Sequence, residues 1–407
     1  MAGALGHLHV LDLSRVLAGP WASQILADLG ADVIIVERPG SGDDTRHWGP
    51  PFLKDAEGRE TGEAAYYLSA NRGKRSLCVD FTTSDGRDIV RRLAAQADVF
   101  LENHKVGDLA RYGLAYADLQ PVQPRLVYCS ITGFGQTGPY AQRAGYDFAI
   151  QALGGLMSVT GERDDRSGGG AQKVGVAVAD VMSGLYACIA ILAALAHREV
   201  AGVGQHIDLA LLDVQVAALA NVALNYLVGG DVPQRWGNAH ANIAPYQVVP
   251  TADRPIVLAI GNDDQFRKFC DVAGVPALAT DPRYATNDAR VRHRDVLTAD
   301  LERVVRSRPA ADWLAALEPA GVSCAPINDV AEVFADPQVR HRGMRVDVPH
   351  VEAGTVPLVA SPLRLSETPV RYDTAPPLLG QHTDEILRER LGYDAARIVA
   401  LRTRGVI

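Results

Sequence analysis

Short apolar runs alternate with helical patterns along the first half of the chain. Five strand-like runs are HVLDL, ADVIIVE, RSLCVDF, ADVFLEN and RLVYCSIT. Pro20 is placed to begin a helix and Gly30 to end it, and Ser84 is placed to cap a helix that continues through Ala95. Strands that alternate with helices predict an α/β fold whose parallel sheet carries helices on both faces. Ligands of such sheets usually bind beyond the carboxyl ends of the strands.

The pattern changes after the run QHIDLALL, which predicts one more strand and then a helix to about Leu227. The segment YQVVPTADRPIVLAI predicts a hairpin around Asp253–Arg254, and short, charge-rich helices follow to about Gly321. This part is typical of a smaller α+β domain. Strand-like runs near SCAPI, MRVDVPH and SPLRL, a helix near DVAEVFAD and a terminal pair of helices complete the prediction.

The segment Val174–Ala196 is almost entirely apolar, and Asp180 is its one charged residue. The segment is long enough to span a membrane. Asp180, the Ser183–Gly184 pair and the lack of a similar segment favour instead a helix buried in a large core or a dimer interface. Asp180 is placed to cap this helix or to act as a nucleophile, and the two roles do not exclude each other. A helix N-terminus keeps a carboxylate ionised, and apolar surroundings remove the water that would weaken it.

The composition is that of a folded, acidic protein. Its 407 residues suggest two domains, and its net charge of −8 argues against nucleic acid as a partner. The cysteines include no CxxC pair, which argues against a zinc ribbon and favours free thiols in a reducing compartment. No basic leader or cleavage pattern precedes the first strand, so we expect a cytoplasmic protein that is not bound to a membrane.

Nucleotide and metal motifs are missing from the sequence. The turn after the first strand, SRVLAGP, has no GxGxxG, and ANRGKRS lacks features of a P-loop, so we expect no permanently bound cofactor and no metal. Cationic and amide side chains recur instead at the predicted strand ends. These side chains either converge on one crevice and hold a polyanionic nucleotide, or are ordinary solvated loop residues. They are Arg15, Arg38, Lys74, Arg75, Asn103 and Arg111.

Several blocks of the chain together resemble one protein family. LDLSRVLAGPWASQILADLGADVIIVERPGSGDDTRHWGPPF, LENHKVGDLARYGL, RAGYDFAIQALGG, VADVMSGLYACIAILAAL and PPLLGQHTDEIL are similar to the class III coenzyme A transferases, the CaiB/BaiF family. The resemblance implies a Rossmann-like large domain at 1–225 and 330–407 and a smaller α+β domain inserted at 226–329. It also implies an interlocked homodimer and a reaction on acyl-CoA and small carboxylic acids.

The resemblance implies that Asp180 is the nucleophile, which passes through an aspartyl anhydride and an aspartyl-CoA thioester. Trp48 matches a tryptophan near the acyl site of formyl-CoA transferases. Thr82 stands where those enzymes carry a lysine, so Lys74, Arg75 or Lys105 would replace it as a phosphate ligand. The CoA contacts that carry over by position are Leu17, Ala18, Arg38, Val79, Thr82, Asn103, His104, Lys105, Arg111, Tyr146 and Asp147.

Within the family, GDDTRHWGPPF, CSITGFGQTGPYAQRAGYD and RWGNAHANIAPYQ are most similar to the succinyl-CoA–dicarboxylate branch, which acts on acids such as glutarate. The distal carboxylate of a dicarboxylate needs a cationic partner. Arg235 either reaches Asp180 from an interlocked partner or only supports the domain junction. The candidates for binding the acceptor acid are Arg46, Arg143, Arg235 and His240.

Two alternative functions remain open at this point. The family includes acyl-CoA racemases, which use a histidine base before the aspartate of the GYD block. Tyr146 precedes Asp147 here, and a tyrosine with a pKa of about 10 is a poor base at neutral pH. The second alternative is a CoA-binding protein without catalytic activity, against which the presence of Asp180 and Trp48 argues.

Overall fold

The computed structural model describes residues 3–407, which divide into two compact units. The first unit contains the residues up to 156, residues 174–223 and residues 337–407, and the second contains residues 157–173 and 224–336. The sequence prediction places residues 330–336 and the glycine-rich segment 157–173 in the larger domain, whereas both group with the second unit. This glycine-rich segment joins the second unit, where the Arg163 guanidinium pairs with the Asp295 carboxylate at 2.7 Å.

The strands are short, and most of those in the first half coincide with the predicted apolar runs. In chain order they are β1 (His9–Asp12), β2 (Asp32–Glu37), β3 (Phe52–Lys54), β4 (Glu60–Ala64), β5 (Lys74–Cys78), β6 (Val99–Glu102), β7 (Val127–Thr132), β8 (His206–Ala210), β9 (Tyr246–Val249), β10 (Ile256–Ala259), β11 (Ser323–Pro326), β12 (Arg345–His350) and β13 (Gly354–Val359).

The first unit is built on a six-stranded sheet with the order β5-β2-β1-β6-β7-β8. All neighbouring strands in it are parallel; Val10, for example, is in register with Val33 on one side and with Val99 on the other. The predicted parallel α/β sheet is confirmed. The strand order reverses between β1 and β6, which is where open α/β sheets form their ligand crevice.

The helices follow the strands in alternation and then dominate the second unit. In chain order they are α1 (Ala18–Asp28), α2 (Ala65–Leu68), α3 (Ser84–Ala94), α4 (Tyr116–Leu119), α5 (Asp147–Leu153), α6 (Leu156–Val159), α7 (Val178–Ala201), α8 (Leu211–Ala218), α9 (Ala220–Gly229), α10 (Asp263–Val272), α11 (Pro276–Thr280), α12 (Asn287–Arg292), α13 (Arg294–Val305), α14 (Ala310–Leu317), α15 (Val330–Ala335), α16 (Pro337–His341), α17 (Thr383–Leu391) and α18 (Ala395–Thr403).

The long helix α7 packs closely against α1 at Gly184. A Cβ added to Gly184 would lie 2.7 Å from the Ala18 carbonyl oxygen and 3.0 Å from the Trp21 Cβ, so only glycine allows this approach. One face of α7 is buried, whereas Leu185 and Ile189 on another face are exposed. By length and composition α7 is the one unbroken helix among residues 3–407 that could cross a membrane, a weak indication because core helices also meet that criterion.

The second unit has its own three-stranded antiparallel sheet, with the order β11-β10-β9. The predicted hairpin is confirmed: Ile256 of β10 pairs with Val249 of β9 across the turn at Asp253–Arg254. The core beside the sheet includes Trp313 and Phe269, whose stacked rings have centroids 6.3 Å apart.

One predicted strand, SPLRL at 361–365, is absent from the structure, which has no regular element there. The partner of β12 is β13, and Val348 pairs with Val356 in this hairpin. The prediction failed because the short turn after His350 brings residues 354–359 into register before the chain reaches SPLRL.

The cysteine thiols lie mainly inside the protein. Cys78, Cys129, Cys188 and Cys270 are buried, and Cys324 is partly exposed. Burial raises the pKa of Cys188 to about 11, and burial together with the nearby Glu37 carboxylate raises the pKa of Cys78 to about 12. At neutral pH these two thiols are therefore protonated.

Candidate active site

Asp180 lies in the first turn of α7, and a carboxylate from another helix caps that turn. Oδ1 of Asp147, the first residue of α5, accepts hydrogen bonds from the Ala179 amide at 2.8 Å and from the Asp180 amide at 3.4 Å. The N-cap residue, Ala177, has no side chain that can cap. Asp147 therefore caps α7, and the prediction that Asp180 is the cap is wrong. The Asp180 carboxylate takes no part in capping.

Asp147 is held in place by the buried side chain of Gln151. The Gln151 amide nitrogen donates to Asp147 Oδ2 at 2.7 Å, and the Gln151 carbonyl oxygen accepts from the Val174 amide at 2.9 Å. This chain of hydrogen bonds fixes the start of α7 against α5. It therefore fixes the backbone from which Asp180 projects.

The surroundings of Asp180 oppose its ionisation. The side chain is half-buried, and burial together with the negative charge of Asp147 raises the pKa of Asp180 from 3.8 to about 7. The helix N-terminus favours the ionised form, as expected, but burial and repulsion by Asp147 act against it and leave the carboxylate only partly ionised at neutral pH. A carboxylate with a raised pKa is a stronger base and nucleophile once it loses its proton.

Two aromatic side chains belong to the same region of the first unit. Burial raises the pKa of Tyr66 to about 12, and the nearby charges of Asp180 and Asp147 add to the shift. Its phenol is therefore protonated at neutral pH and can donate a hydrogen bond. The ring of Trp48 meets that of Tyr66 edge to face, with centroids 5.1 Å apart, and Trp48 is 46% exposed. Sequence reasoning named Trp48 but missed Tyr66, which lies in the four-residue helix α2 without any motif.

Two of the six predicted strand-end side chains, Arg15 and Arg38, line one cleft. The carboxyl ends of β1, β2, β5 and β6 border it, as expected for a parallel sheet. Two of its side chains have buried nitrogen atoms, Arg15 Nε and His104 Nε2, with no hydrogen-bond partner among residues 3–407. Buried polar groups are normally paired, so these two nitrogen atoms are available to a ligand in the cleft. The predicted residues that line the cleft are Arg15, Arg38, Val79, Thr82 and His104.

Other predicted CoA contacts have different surroundings. Both ends of the Asn103 amide bind the backbone of Arg15, so Asn103 fixes a turn. Arg111 forms an ion pair with Asp108 at 2.7 Å, and Lys105 lines a separate cavity. Leu17 and Ala18 stand at the start of α1, and Tyr146 directly precedes Asp147.

Two of the proposed substitutes for the missing lysine are corrected by the structure. Lys74 is fully buried, where its ammonium donates to the carbonyl oxygens of Pro20 and of the Asn71 side chain, both at 2.9 Å. Burial lowers the pKa of Lys74 to about 8, although the nearby Asp12 carboxylate opposes this shift. The Arg75 guanidinium is committed to acidic side chains of its own unit. Neither cation is available to a phosphate in the cleft.

Arg46 is also corrected, from a substrate ligand to a structural residue. Its buried guanidinium forms ion pairs with Glu37 and Glu63, both at 2.8 Å, and donates to the Tyr67 hydroxyl and the Pro377 carbonyl oxygen. All three nitrogen atoms of the guanidinium donate to these partners. Arg46 therefore has no donor left for a substrate carboxylate.

The remaining substrate candidates lie in both units. Arg143, in the first unit, is exposed, and its guanidinium lies 4.4 Å from the Tyr140 ring centroid. Arg235 and His240 belong to the second unit. The Arg235 guanidinium donates to the Ser158 carbonyl oxygen at 3.0 Å and pairs with Asp164, and His240 Nδ1 accepts from the Asn242 amide.

Comparison with known proteins decides the family. The model of CoA-transferase family III matches residues 5–383. The chain belongs to CoA-transferase family III. It is 52% identical, over 95% of both chains, to succinate–glutarate CoA-transferase of Agrobacterium fabrum. It is 44% identical to human succinyl-CoA:glutarate CoA-transferase, over 98% of this chain and 88% of the human one. The fold matches a CaiB/BaiF family protein from Brucella suis with a TM-score of 0.85 and 51% identity, over 96% of this chain and all of that one (100%).

As a member of family III, the protein is an enzyme that transfers CoA, with CoA thioesters as substrates. The resemblance drawn from the sequence blocks is confirmed. The cleft at the strand ends and the half-buried Asp180 therefore belong to the first unit of an acyl-CoA enzyme.

The raised pKa of Asp180 predicts how its replacement changes stability. Between pH 3.8 and about 7 the folded chain binds a proton that the unfolded chain has lost, so the contribution of Asp180 to stability falls as pH rises. We expect Asp180→Asn to raise the free energy of unfolding more at pH 8 than at pH 5. The difference between the two gains is about 1–2 kcal/mol once solvent screening is allowed for. Denaturant unfolding at both pH values measures this. Asp213→Asn, at an exposed site, is the control; an equal gain at both pH values for Asp180→Asn contradicts the prediction.

Proposed function

We propose that this enzyme moves CoA from succinyl-CoA to a small dicarboxylic acid such as glutarate, with Asp180 as the covalent nucleophile. The observation that carries the proposal is a half-buried carboxylate with a raised pKa in the first turn of α7. The names of the curated relatives, which describe succinate–glutarate and succinyl-CoA:glutarate transfer, support the choice of substrates.

The proposed reaction runs through four displacements at carbonyl carbon. An Asp180 carboxylate oxygen attacks the thioester carbon of succinyl-CoA, and the C–S bond breaks to give a mixed anhydride and CoA thiolate. The thiolate attacks the Asp180 carbonyl carbon, which forms aspartyl-CoA and releases succinate. The acceptor carboxylate attacks this thioester and frees the thiolate again. The thiolate then attacks the acceptor carbonyl of the new anhydride, which yields the new acyl-CoA and restores the Asp180 carboxylate.

The surroundings of Asp180 suit these steps. Partial burial limits the access of water, which would hydrolyse an anhydride. One thioester is exchanged for another, so the reaction needs no external energy source. The protonated Tyr66 phenol is proposed to donate a hydrogen bond to the oxygen that becomes negative in each tetrahedral intermediate.

Arg143 is the proposed ligand of the distal carboxylate of the acceptor. It is exposed, lies four residues before Asp147 in the same unit, and its guanidinium faces aromatic rings rather than an acidic side chain. Arg46 and Arg235 are instead engaged with acidic partners. A guanidinium against aromatic rings is preorganised for bidentate binding of a carboxylate.

The transfer reaction is tested by mass spectrometry of CoA esters. With succinyl-CoA and a panel of acids headed by glutarate, we expect glutaryl-CoA from the wild type and a loss of at least about 10³-fold for Asp180→Ala, which lacks the nucleophile. The exposed Asp213→Asn variant is the control. Equal activity of Asp180→Ala and wild type contradicts the role of Asp180. Exchange of the α-proton of a branched acyl-CoA without transfer would identify a racemase instead.

The role of Arg143 predicts a change in acceptor binding. We expect Arg143→Gln to raise the KM for glutarate about 10-fold, because a charge-assisted carboxylate contact is lost, and to leave the KM for a monocarboxylate unchanged. Steady-state kinetics with both acids measure this. Arg364→Gln is a control on the exposed surface of the same unit. An equal rise for both acids shows that Arg143 does not select dicarboxylates.

We also propose that the enzyme is a homodimer. The exposed apolar side chains Leu185, Tyr186 and Ile189 lie close together on α7 and support this proposal, since such patches mark interaction surfaces. We expect the wild type to sediment as a dimer and Ile189→Arg to shift it to a monomer. Val399→Arg, at an exposed apolar position on α18, is the control. A monomeric wild type, or a dimer that Ile189→Arg leaves intact, contradicts the proposed interface.

A further inference from the structure

The turn between β1 and α1 has a strained backbone. Val16 adopts a φ angle of 70°, in the left-handed region that a β-branched residue disfavours. Such conformations persist only where the surrounding structure holds them, and they occur often at functional sites. The neighbouring residue Arg15 lines the cleft at the strand ends.

Two side chains hold this turn from different elements. The Asn103 side chain accepts from the Arg15 amide at 2.9 Å and donates to the Arg15 carbonyl oxygen at 2.7 Å. Asp43 Oδ2 accepts from the amide of the strained residue itself, Val16, at 2.9 Å. Asp43 is therefore the side chain that directly holds the strained peptide.

The same carboxylate organises a second segment. Asp43 Oδ1 accepts from the Thr45 amide at 2.8 Å and from the Thr45 hydroxyl at 2.6 Å, which caps the 3₁₀ turn Asp44–His47. Trp48 directly follows that turn. The Asp43 amide in turn donates to the buried Glu37 carboxylate at 3.0 Å. One carboxylate thus connects the turn before α1 to the segment that carries Trp48.

The strained turn sets the start of α1 relative to Asp180. The Ala18 carbonyl oxygen, two residues after Val16, is in close contact with Gly184 of α7. Asp180 is four residues before Gly184, and residues at this spacing lie on one face of a helix. A shift of the Val16 turn therefore displaces the first turn of α1 from the α7 face that carries Asp180.

We propose that Asp43 is a positioning residue for CoA transfer: it holds the strained Val16 turn and the Trp48 segment in one arrangement around Asp180. The inference rests on the proposed function. Electrostatics alone argue against a carboxylate here, because Asp43 lines a cleft expected to hold the phosphates of CoA. Its hydrogen bonds to two backbone amides, and not a contact with the ligand, account for its presence.

The test compares Asp43→Asn with Asp44→Asn. Asp44 is the adjacent residue and lines the same cleft, so both variants remove one negative charge. An asparagine can accept through one side-chain atom, so Asp43→Asn loses either the Val16 or the Thr45 contact. We expect kcat of Asp43→Asn to be at least about 10-fold below that of Asp44→Asn. The Kd for free CoA is expected to be equal in the two variants. We expect Val16→Gly to reduce the loss of kcat caused by Asp43→Asn, because glycine adopts a φ of 70° without strain.

Hydrogen exchange of the peptide that covers residues 13–22 tests the inference without reference to activity. We expect faster exchange in Asp43→Asn than in Asp44→Asn and wild type. Equal exchange and equal kcat in Asp43→Asn and Asp44→Asn overturn the inference. An equal effect of Val16→Gly on kcat in the wild type and in Asp43→Asn also overturns it. An inactive wild type refutes the proposed function alone, because the exchange measurement still decides whether Asp43 holds the turn.

Discussion

The hydrogen bonds from the α7 amides to the Asp147 carboxylate set the position of Asp180 and contribute to its electrostatic surroundings. They place a charged oxygen at the start of a helix that is otherwise apolar, and they orient the turn that carries Asp180. Burial opposes ionisation of Asp180 and the same charge adds to that effect, so one carboxylate both positions its neighbour and contributes to its raised pKa. Gln151 makes this arrangement rigid because both ends of its amide are used. The placement of Asp180 thus depends on side chains of a different helix, α5.

The features that sequence predicted well are those with a local cause. The strands around Val10, Val33 and Val99 follow from short apolar runs bounded by helix signals, and their parallel order follows from the alternation. The position of Asp180 in a helical first turn follows from the apolar run after it. The convergence of Arg15 and Arg38 follows from the rule that carboxyl ends of parallel strands share one edge.

The features that sequence could not predict depend on partners far apart in the chain. In the sequence, Arg46 resembles a substrate ligand. Its guanidinium binds Glu63 and the carbonyl oxygen of Pro377, a residue 331 positions further along the chain. Lys74 resembled a phosphate ligand, but burial beneath α1 commits it to the Pro20 carbonyl oxygen. Whether a cation is free or already paired is decided by tertiary contacts, and residue type and spacing do not report them.

The burial of the thiols has a consequence for an enzyme that handles activated acyl groups. A thiolate at the protein surface would compete with CoA for the acyl group of a thioester and trap it on the wrong sulfur. Here burial keeps thiols such as Cys188, on the same helix as Asp180, in the protonated form, and protonated sulfur is a poor nucleophile. The buried thiols are therefore poor competitors for the acyl group of a CoA thioester.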